Sequence, residues 1–281
     1  MSTEASARDT GTAAAPRARR RIAVLGSSGA CATGAPAHLL EIAPPGIELV
    51  AWPLPLSGFP HTPHDRVLVE LGHAAAATEA VAAGVDALYV DTFGDYAIAA
   101  MRSLGDTPVI GAGEATLHAA TLVARRFSIV TVWPRSMRFI YEDRLAASGL
   151  GARCASIRHL GEAPDVMGRL ERADTDVTAR IVAACRAAVA EDGAEAIALG
   201  CSCMAPVHAA VAAAVDAPVL CCSRTGFAMA VAAVIGGWSS SSVAYPRVAA
   251  QRAARLVALA RGAPADDGEE ACPVCPVTPG S

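Results

Sequence analysis

Two residues at matching places in an internal repeat have side chains suited to moving or holding a proton. Cys201 ends the apolar run "EAIALGC" (195–201), and Thr92 ends the similar run "DALYVDT" (86–92). A thiol ionises at about pH 8.5 and can give up and take back a proton, whereas a threonine hydroxyl serves as a hydrogen-bond donor. We therefore predict that Cys201 and Thr92 are catalytic. A packing role for Cys201 stays open, because cysteine is also a small buried hydrophobe.

Small and polar residues beside these two positions are candidates for binding the substrate. The segment "GSSG" (26–29) follows the first apolar run and offers hydroxyls and backbone N–H groups to a small anion, although a plain turn fits equally well. It lacks the spacing of a phosphate loop or a dinucleotide-binding loop. The predicted substrate-binding residues are Ser27, Ser28, Phe93, Gly94, Ser202 and Cys222.

Other titratable residues are weaker candidates for the same chemistry. Asp91 precedes Thr92 and is a conceivable base, although strand alternation points it away from the direction of Thr92. His61 and His64 lie in the Pro-rich stretch "SGFPHTPHD", which a cleft can use as a cover, but loop histidines are more often solvated.

Metal ligands and cofactor motifs are sparse. The tail sequence "CPVC" (272–275) has the spacing of half a zinc or redox site, but no second pair accompanies it. A site built from Cys201, Cys203 and His208 would be scattered by a helix after Cys201. We therefore predict neither a metal nor a cofactor.

The elements that position these residues follow from periodicity. Short apolar runs alternate with Ala-rich segments such as 66–83 and 176–191, which is typical of parallel sheets covered by helices on both faces. Asp95 is expected to cap the helix after Thr92. The predicted strands are Ile22–Leu25, Ile47–Trp52, Ala87–Val90, Val109–Ile110, Ser128–Val132, Ala196–Leu199 and Val219–Cys221.

The repeat extends beyond the two catalytic candidates. "DTPVIG" (106–111) matches "DAPVLC" (216–221), and "RIAVLG" (21–26) corresponds to "FSIVTV" (127–132). We predict an α/β fold of two pseudo-symmetric lobes, each a parallel sheet flanked by helices. Because ligands bind beyond the carboxyl ends of such strands, the active-site cleft should lie between the lobes.

The predicted domain boundaries follow from the repeat and from composition. Both ends of the chain are rich in small and turn-forming residues, so we expect poorly ordered tails there. The expected organisation is a tail at 1–20, a first lobe at 21–125 together with 226–262, a second lobe at 126–225, and a tail at 263–281.

Composition narrows the partners and the compartment. The 281 residues carry a net charge of −4 without a basic block outside the N-terminus, which argues against nucleic acid binding. Apolar runs stop short of the roughly 18 residues that a membrane span needs, and no secretory signal is evident. We expect a cytoplasmic protein whose nine cysteines are reduced, with a small-molecule substrate and a homo-oligomeric assembly.

Several segments together resemble the aspartate/glutamate/hydantoin racemase superfamily, and within it the hydantoin racemases. The resemblance covers about residues 21 to 235 and implies catalysis without metal or pyridoxal phosphate, by two cysteines on opposite faces of the substrate carbon. The segments that carry it are "TFGD" (92–95), "PVIGAGEATLHAA" (108–120), "RFSIVTVWPRSM" (126–137), "GARCASIRHLG" (151–161) and "ALGCSCM" (198–204).

This chain departs from the family pattern at the catalytic pair. Where the family has its first cysteine, before "FGD", this chain has Thr92, while Cys201 matches the second. The family's Asn-Pro-Asn-Thr/Ser after the first strand is replaced by "GSSG", and the polar residue after the last strand by Cys221 and Cys222. The superfamily also includes single-cysteine arylmalonate decarboxylases, in which one thiol protonates one face of an enediolate.

Three functions stay open on the sequence alone. The first is a cofactor-independent, cysteine-dependent proton-transfer enzyme, an isomerase or epimerase of a small carboxylate or a cyclic imide-like substrate. The second is a decarboxylating lyase with Cys201 as the sole proton donor. The third is a non-catalytic homologue that binds a metabolite.

Overall fold

The computed structural model describes residues 19–26 and 34–262. Within these ranges the chain forms two four-stranded sheets in which every strand pair is parallel. The first sheet contains β1 Arg20–Leu25, β2 Ile47–Trp52, β3 Ala87–Val90 and β4 Val109–Gly111 in the order β2-β1-β3-β4. The second contains β5 Phe127–Thr131, β6 Cys154–His159, β7 Ala196–Leu199 and β8 Val219–Cys221 in the order β6-β5-β7-β8.

Helices connect the strands and flank both sheets. The α-helices are α1 Ala37–Leu40, α2 Pro63–Ala82, α3 Ile98–Arg102, α4 Ala112–Val123, α5 Arg138–Ser148, α6 Val166–Glu171, α7 Thr175–Asp192, α8 His208–Ala214, α9 Cys222–Gly236 and α10 Ala250–Arg261. Short 3-10 helices lie at Arg135–Met137, Gly151–Arg153 and Ser202–Val207. None of the helices in the described ranges is both long and apolar enough to cross a membrane.

The two sheets have the same strand order, which confirms the predicted α/β fold of two similar lobes. β3 and β7 occupy the same inner position of their sheets, and every residue of both strands is buried. This double burial explains why both strands are continuous apolar runs rather than alternating ones. The carboxyl end of β3 leads to Thr92, and that of β7 leads to Cys201.

Helix α2 has a capping box at its N-terminus and covers one face of the first sheet. The Thr62 hydroxyl accepts a hydrogen bond from the Asp65 N–H, and the Asp65 carboxylate accepts one from the Thr62 N–H, with Pro63 as the first helical residue. The loop before the helix crosses it at Gly72, where an added Cβ would lie 1.8 Å from the Leu56 carbonyl oxygen. Glycine therefore sets how closely this loop packs.

Helix α9 joins the second sheet to the first. It begins at Cys222, directly after β8. It packs against α4, β3 and β4 of the first lobe, and the Tyr89 hydroxyl hydrogen-bonds the Ser223 carbonyl oxygen at 2.7 Å. One hydrophobic core contains buried residues of both sheets, among them Val24 and Ile129.

Three local expectations need correction. β6 was not predicted, and Arg20, assigned to the N-terminal tail, is the first residue of β1. Asp95 does not cap the helix that follows it. Its carboxylate accepts hydrogen bonds from the Gly113 and Glu114 N–H groups and so caps α4 instead. The predictions for residues 1–18 and 263–281 lie outside the described residues.

Candidate active site

A cavity of about 110 Å³ lies where the strand ends of the two lobes meet. The first lobe contributes Thr92, Phe93 and Gly94 from the turn after β3, and the second contributes Cys201 and Ser202 after β7. The two strand ends that the repeat pairs in sequence therefore line one cavity. The small volume suits a small-molecule substrate.

Not every predicted binding residue lies at this cavity. Cys222 is fully buried at the start of α9 and is not part of the lining, because α9 turns toward the first lobe directly after β8. Ser27 and Ser28 lie outside the described residues. Gly26, which precedes them, does line the cavity.

Cys201 is the N-cap residue of the 3-10 helix Ser202–Val207, and its sulfur makes two contacts with Cys203. The Cys203 N–H donates a hydrogen bond to Cys201 Sγ at 3.2 Å, and the two cysteines form a disulfide. The expectation that all cysteines are reduced is wrong for this pair, because a separation of two residues after the strand end brings the two sulfurs together. Cys201 can act as a thiol only after the disulfide is reduced, and the same N–H would then stabilise a thiolate.

Tyr141 of α5 holds the backbone before Cys201. Its hydroxyl lies 2.6 Å from Thr131 Oγ1 and donates to the Gly200 carbonyl oxygen at 3.1 Å. Burial raises the pKa of Tyr141 well above its ordinary value, so the hydroxyl stays protonated. The position of Cys201 therefore depends on a hydrogen bond that joins α5 to the end of β7.

Thr92 presents a hydroxyl without a protein partner. Its Oγ1 is buried and has no hydrogen-bond partner among the described residues. A buried hydroxyl without a partner costs about 1–3 kcal/mol, which a ligand oxygen in the cavity can offset. The geometry therefore suits Thr92 to donating a hydrogen bond to a bound molecule.

His73 of α2 also lines the cavity, although no sequence signal singled it out. The ring is 2% exposed; its Nδ1 lies 2.8 Å from the Val69 carbonyl oxygen, and Nε2 has no partner in the described part of the chain. Burial lowers the pKa of His73 to about 4, so the imidazole is neutral near pH 7. Nothing in the helix sequence marks this histidine, since only the packing of α2 brings it to the strand ends.

Aromatic side chains from both lobes close the cavity. Phe59, in the loop before α2, meets Trp133 edge-on with ring centroids 4.6 Å apart, and Phe93 lies 5.4 Å from Tyr141. No Asp, Glu, Lys or Arg occurs among the described residues that line the cavity. The walls therefore favour a small, uncharged and flat ligand.

The other titratable candidates lie elsewhere. Asp91 is fully buried, accepts a hydrogen bond from the Tyr89 hydroxyl at 2.9 Å and is absent from the cavity lining; burial raises its pKa to about 6. Burial also raises the pKa of Asp95 to about 7, although the Glu114 and Gly113 N–H groups oppose this shift. His61 packs against Phe59 but does not line the cavity.

Metal ligands are not grouped in the described part of the chain. No cluster of three or more His, Cys, Asp or Glu side chains there is arranged to hold a metal ion. The sequence "CPVC" lies outside the described residues.

Comparisons with protein-family models, known sequences and solved structures all match racemases. The family model for Asp/Glu/hydantoin racemase matches residues 30–230. The hydantoin racemase of Rhizobium meliloti is 33% identical over 196 residues, which cover 66% of this chain and 77% of that protein. The allantoin racemase structure from Klebsiella pneumoniae superposes with a TM-score of 0.70 at 29% identity, over 82% of this chain and 95% of that chain.

A more distant structure shares the fold. A mutant of arylmalonate decarboxylase in a liganded form superposes with a TM-score of 0.59 at 21% identity, over 81% of this chain and 97% of that chain. At this identity the likeness concerns the architecture of the two lobes alone.

Proposed function

Because this chain belongs to the Asp/Glu/hydantoin racemase family and is an isomerase, we propose that it inverts the stereocentre of small, uncharged 5-substituted hydantoins. The observation that carries the choice of substrate is the uncharged lining of the cavity between Thr92 and Cys201. A carboxylate there would lose its hydration without meeting a cation from the described lining, which is costly. A hydantoin ring is neutral and flat. The relatives of this chain by sequence and by structure include a hydantoin racemase and an allantoin racemase.

The chemistry needs only proton transfer at one carbon. Loss of the C5 proton of a hydantoin leaves a planar enolate, with negative charge on the adjacent oxygen. The Thr92 hydroxyl, which lacks a partner among the described residues, would donate a hydrogen bond to that oxygen. Cys201 in its thiol form would give a proton to one face of C5, or take one from it.

A decarboxylating lyase is the second candidate. A single cysteine, Cys201, occurs in the described lining, and one thiol suffices to protonate one face of an enediolate. The uncharged walls make this candidate weaker, because a malonate enters with two negative charges. Release of carbon dioxide from phenylmalonate would favour it over the isomerase.

The proposal is tested with the separate enantiomers of 5-methylhydantoin, 5-benzylhydantoin and allantoin in deuterium oxide near neutral pH. Protein kept reduced with dithiothreitol, without added metal or cofactor, should interconvert the enantiomers and leave one deuterium at C5. Chiral chromatography measures inversion and mass spectrometry measures deuterium. A protein-free sample corrects for spontaneous exchange. A protein that inverts none of the three compounds would contradict the proposed substrate class.

The role of Thr92 is tested by Thr92→Val, which keeps the shape and removes the hydroxyl. If Thr92 contributes one hydrogen bond to the enolate, turnover should fall on the order of 10²–10³-fold. Thr78→Val is the matched control, because the Thr78 hydroxyl bonds the Ala74 carbonyl oxygen of its own helix. Turnover that stays within a few-fold in Thr92→Val would remove Thr92 from the mechanism.

A further inference from the structure

The protonation pattern of His73 is set by its surroundings. Its Nδ1 lies 2.8 Å from the Val69 carbonyl oxygen, and a carbonyl can only accept a hydrogen bond. In the neutral ring the proton therefore sits on Nδ1, and Nε2 carries a lone pair. That lone pair belongs to a cavity-lining residue and has no partner in the described part of the chain.

The position of Nε2 is made possible by Gly26. Gly26 has φ +74°, and a Cβ built on it would lie 2.3 Å from His73 Nε2 and 3.2 Å from Thr92 Cγ2. The absent side chain leaves room for the imidazole beside the end of β1. His73 Nε2 therefore lies on the same side of the cavity as Thr92, in the first lobe, whereas Cys201 comes from the second.

We propose that His73 is the second proton-transfer residue and serves the substrate face opposite Cys201, from the side of the cavity where Thr92 lies. This assignment rests on the proposed function. In one direction His73 Nε2 takes the proton from C5: the C–H bond breaks, an N–H bond forms, and the electron pair moves into the enolate. The Cys201 S–H bond then breaks, its proton bonds to the opposite face of C5, and an imidazolium and a thiolate are left. The reverse reaction starts from these two groups and restores the thiol and the neutral ring.

The environment supports a base rather than a packing residue. An imidazole buried with one nitrogen unpaired costs about 1–3 kcal/mol, which an aliphatic side chain of α2 would avoid. The ring meets the Tyr96 ring at 5.5 Å and lies among uncharged cavity walls. An enolate that forms beside the ring would stabilise the imidazolium, because an opposite charge at close range favours the charged form.

The competing groups do not reach the substrate. Asp91 points to Tyr89 and is absent from the cavity lining, and His61 is absent from it as well. Among the described residues that line the cavity, the imidazole of His73 and the thiol of reduced Cys201 are the two groups whose ordinary pKa values lie closest to neutral.

The experiment follows the exchange of each enantiomer separately. Two opposed bases imply that one enantiomer loses its proton to His73 and the other to Cys201. In His73→Asn the side-chain amide can still donate to the Val69 carbonyl oxygen but offers no base. We expect inversion to fall on the order of 10²–10⁴-fold, while one enantiomer still exchanges its C5 proton for deuterium without inverting. Cys201→Ala should give the mirror result, with exchange of the other enantiomer only.

The controls separate chemistry from folding. His118→Gln changes an exposed histidine and should leave both exchange rates unchanged. If His73 only supported the fold, His73→Asn would slow both enantiomers equally, and that result would overturn the proposal. Full inversion by His73→Asn would overturn it too. A wild-type protein that exchanges neither enantiomer would instead overturn the proposed function, and the role of His73 with it.

A second measurement needs no variant and applies if His73→Asn does not fold. In wild-type protein labelled with ¹⁵N-histidine, one buried ring should show a protonated Nδ1 and an unprotonated Nε2. Saturation with 5-methylhydantoin should shift that Nε2 resonance. An Nε2 resonance that does not move when the hydantoin binds would contradict contact with the substrate.

Discussion

At the scale of single residues, the sulfur of Cys201 can exist in two chemical states. The structure has it bonded to Cys203, and the proposed reaction needs it as a thiol. Reduction by a dithiol such as dithiothreitol transfers two electrons and two protons to the pair and releases both thiols. Activity should therefore depend on the redox state of two neighbouring residues.

We predict that protein oxidised with hydrogen peroxide is inactive and that dithiothreitol restores its turnover. Cys203→Ser should be active without reductant, because Cys201 then loses the cysteine to which it is bonded and the backbone N–H at position 203 still points to its sulfur. Turnover before and after reduction, with free thiols counted in parallel, measures this. Equal activity of the oxidised and reduced wild type would contradict it.

His73 should also couple the stability of the fold to pH. Burial lowers its pKa from 6.5 to about 4, without a contribution from a charged side chain. Between these values the unfolded chain binds the proton more tightly, so lowering the pH from 6.5 to 4 destabilises the folded state, by about 3 kcal/mol.

Burial raises the pKa values of Asp91 and Asp95 to about 6 and about 7, so these two groups also change the stability of the fold with pH. The contribution of His73 is therefore measured as the difference in unfolding free energy between the wild type and a His73 variant. The free energy of unfolding of wild type relative to His73→Asn should fall as the pH drops from 6.5 toward 4. Urea unfolding at several pH values gives this difference. A difference that does not change with pH would show that His73 titrates normally.

Only one of the two proposed proton-transfer residues could be predicted from the sequence. Cys201 ends a buried strand that has a repeat partner, so its place at the cavity could be predicted. His73 lies in an Ala-rich helix without a motif, and its role depends on how α2 packs beside Gly26. Such a tertiary contact leaves no periodic trace in the sequence.

At the scale of elements, the loop before α2 is fixed by its contact with Gly72. A Cβ there would lie 1.8 Å from the Leu56 carbonyl oxygen, so the loop that carries Phe59 would have to move. We predict that Gly72→Ala destabilises the protein by about 1–3 kcal/mol and raises the KM for the hydantoin. Thermal unfolding and steady-state kinetics measure the two effects.

Gly105→Ala is the matched control, because a Cβ at Gly105 meets no atom within 4 Å. An unchanged KM in Gly72→Ala would show that the position of the loop does not matter for substrate binding.

The strands divide into those that the sequence predicts and one that it does not. The seven predicted strands are mostly apolar in sequence, whether buried like β3 and β7 or half-buried like β2, and each one occurs in the structure. β6, with the sequence "CASIRH", is one of the two edge strands of the second sheet, and all six of its residues are half-buried. Its polar side chains remove the continuous apolar signal on which the other predictions depend.

At the scale of the whole molecule, the two lobes share a hydrophobic core, and a second, smaller cluster lies within the first lobe. Buried residues of both sheets belong to one hydrophobic cluster, and α9 carries the chain from β8 of the second sheet onto the first. We therefore predict a single cooperative unfolding transition, although the sequence suggests two repeated halves.

Calorimetry should give equal calorimetric and van't Hoff enthalpies for the reduced protein. Two separate transitions would mean that each lobe folds by itself. The same comparison can be made with tryptophan fluorescence, to which Trp133 at the contact between the lobes contributes, and with far-ultraviolet circular dichroism. The midpoints of the two signals should coincide.

The space at Gly26 also bears on how this chain relates to sequences with other catalytic pairs. A Cβ at position 26 would overlap Nε2 of His73, so the imidazole would have to move from its place beside Thr92. We therefore expect relatives that pair a thiol with an imidazole in this way to carry glycine at the position of Gly26 together with histidine at the position of His73.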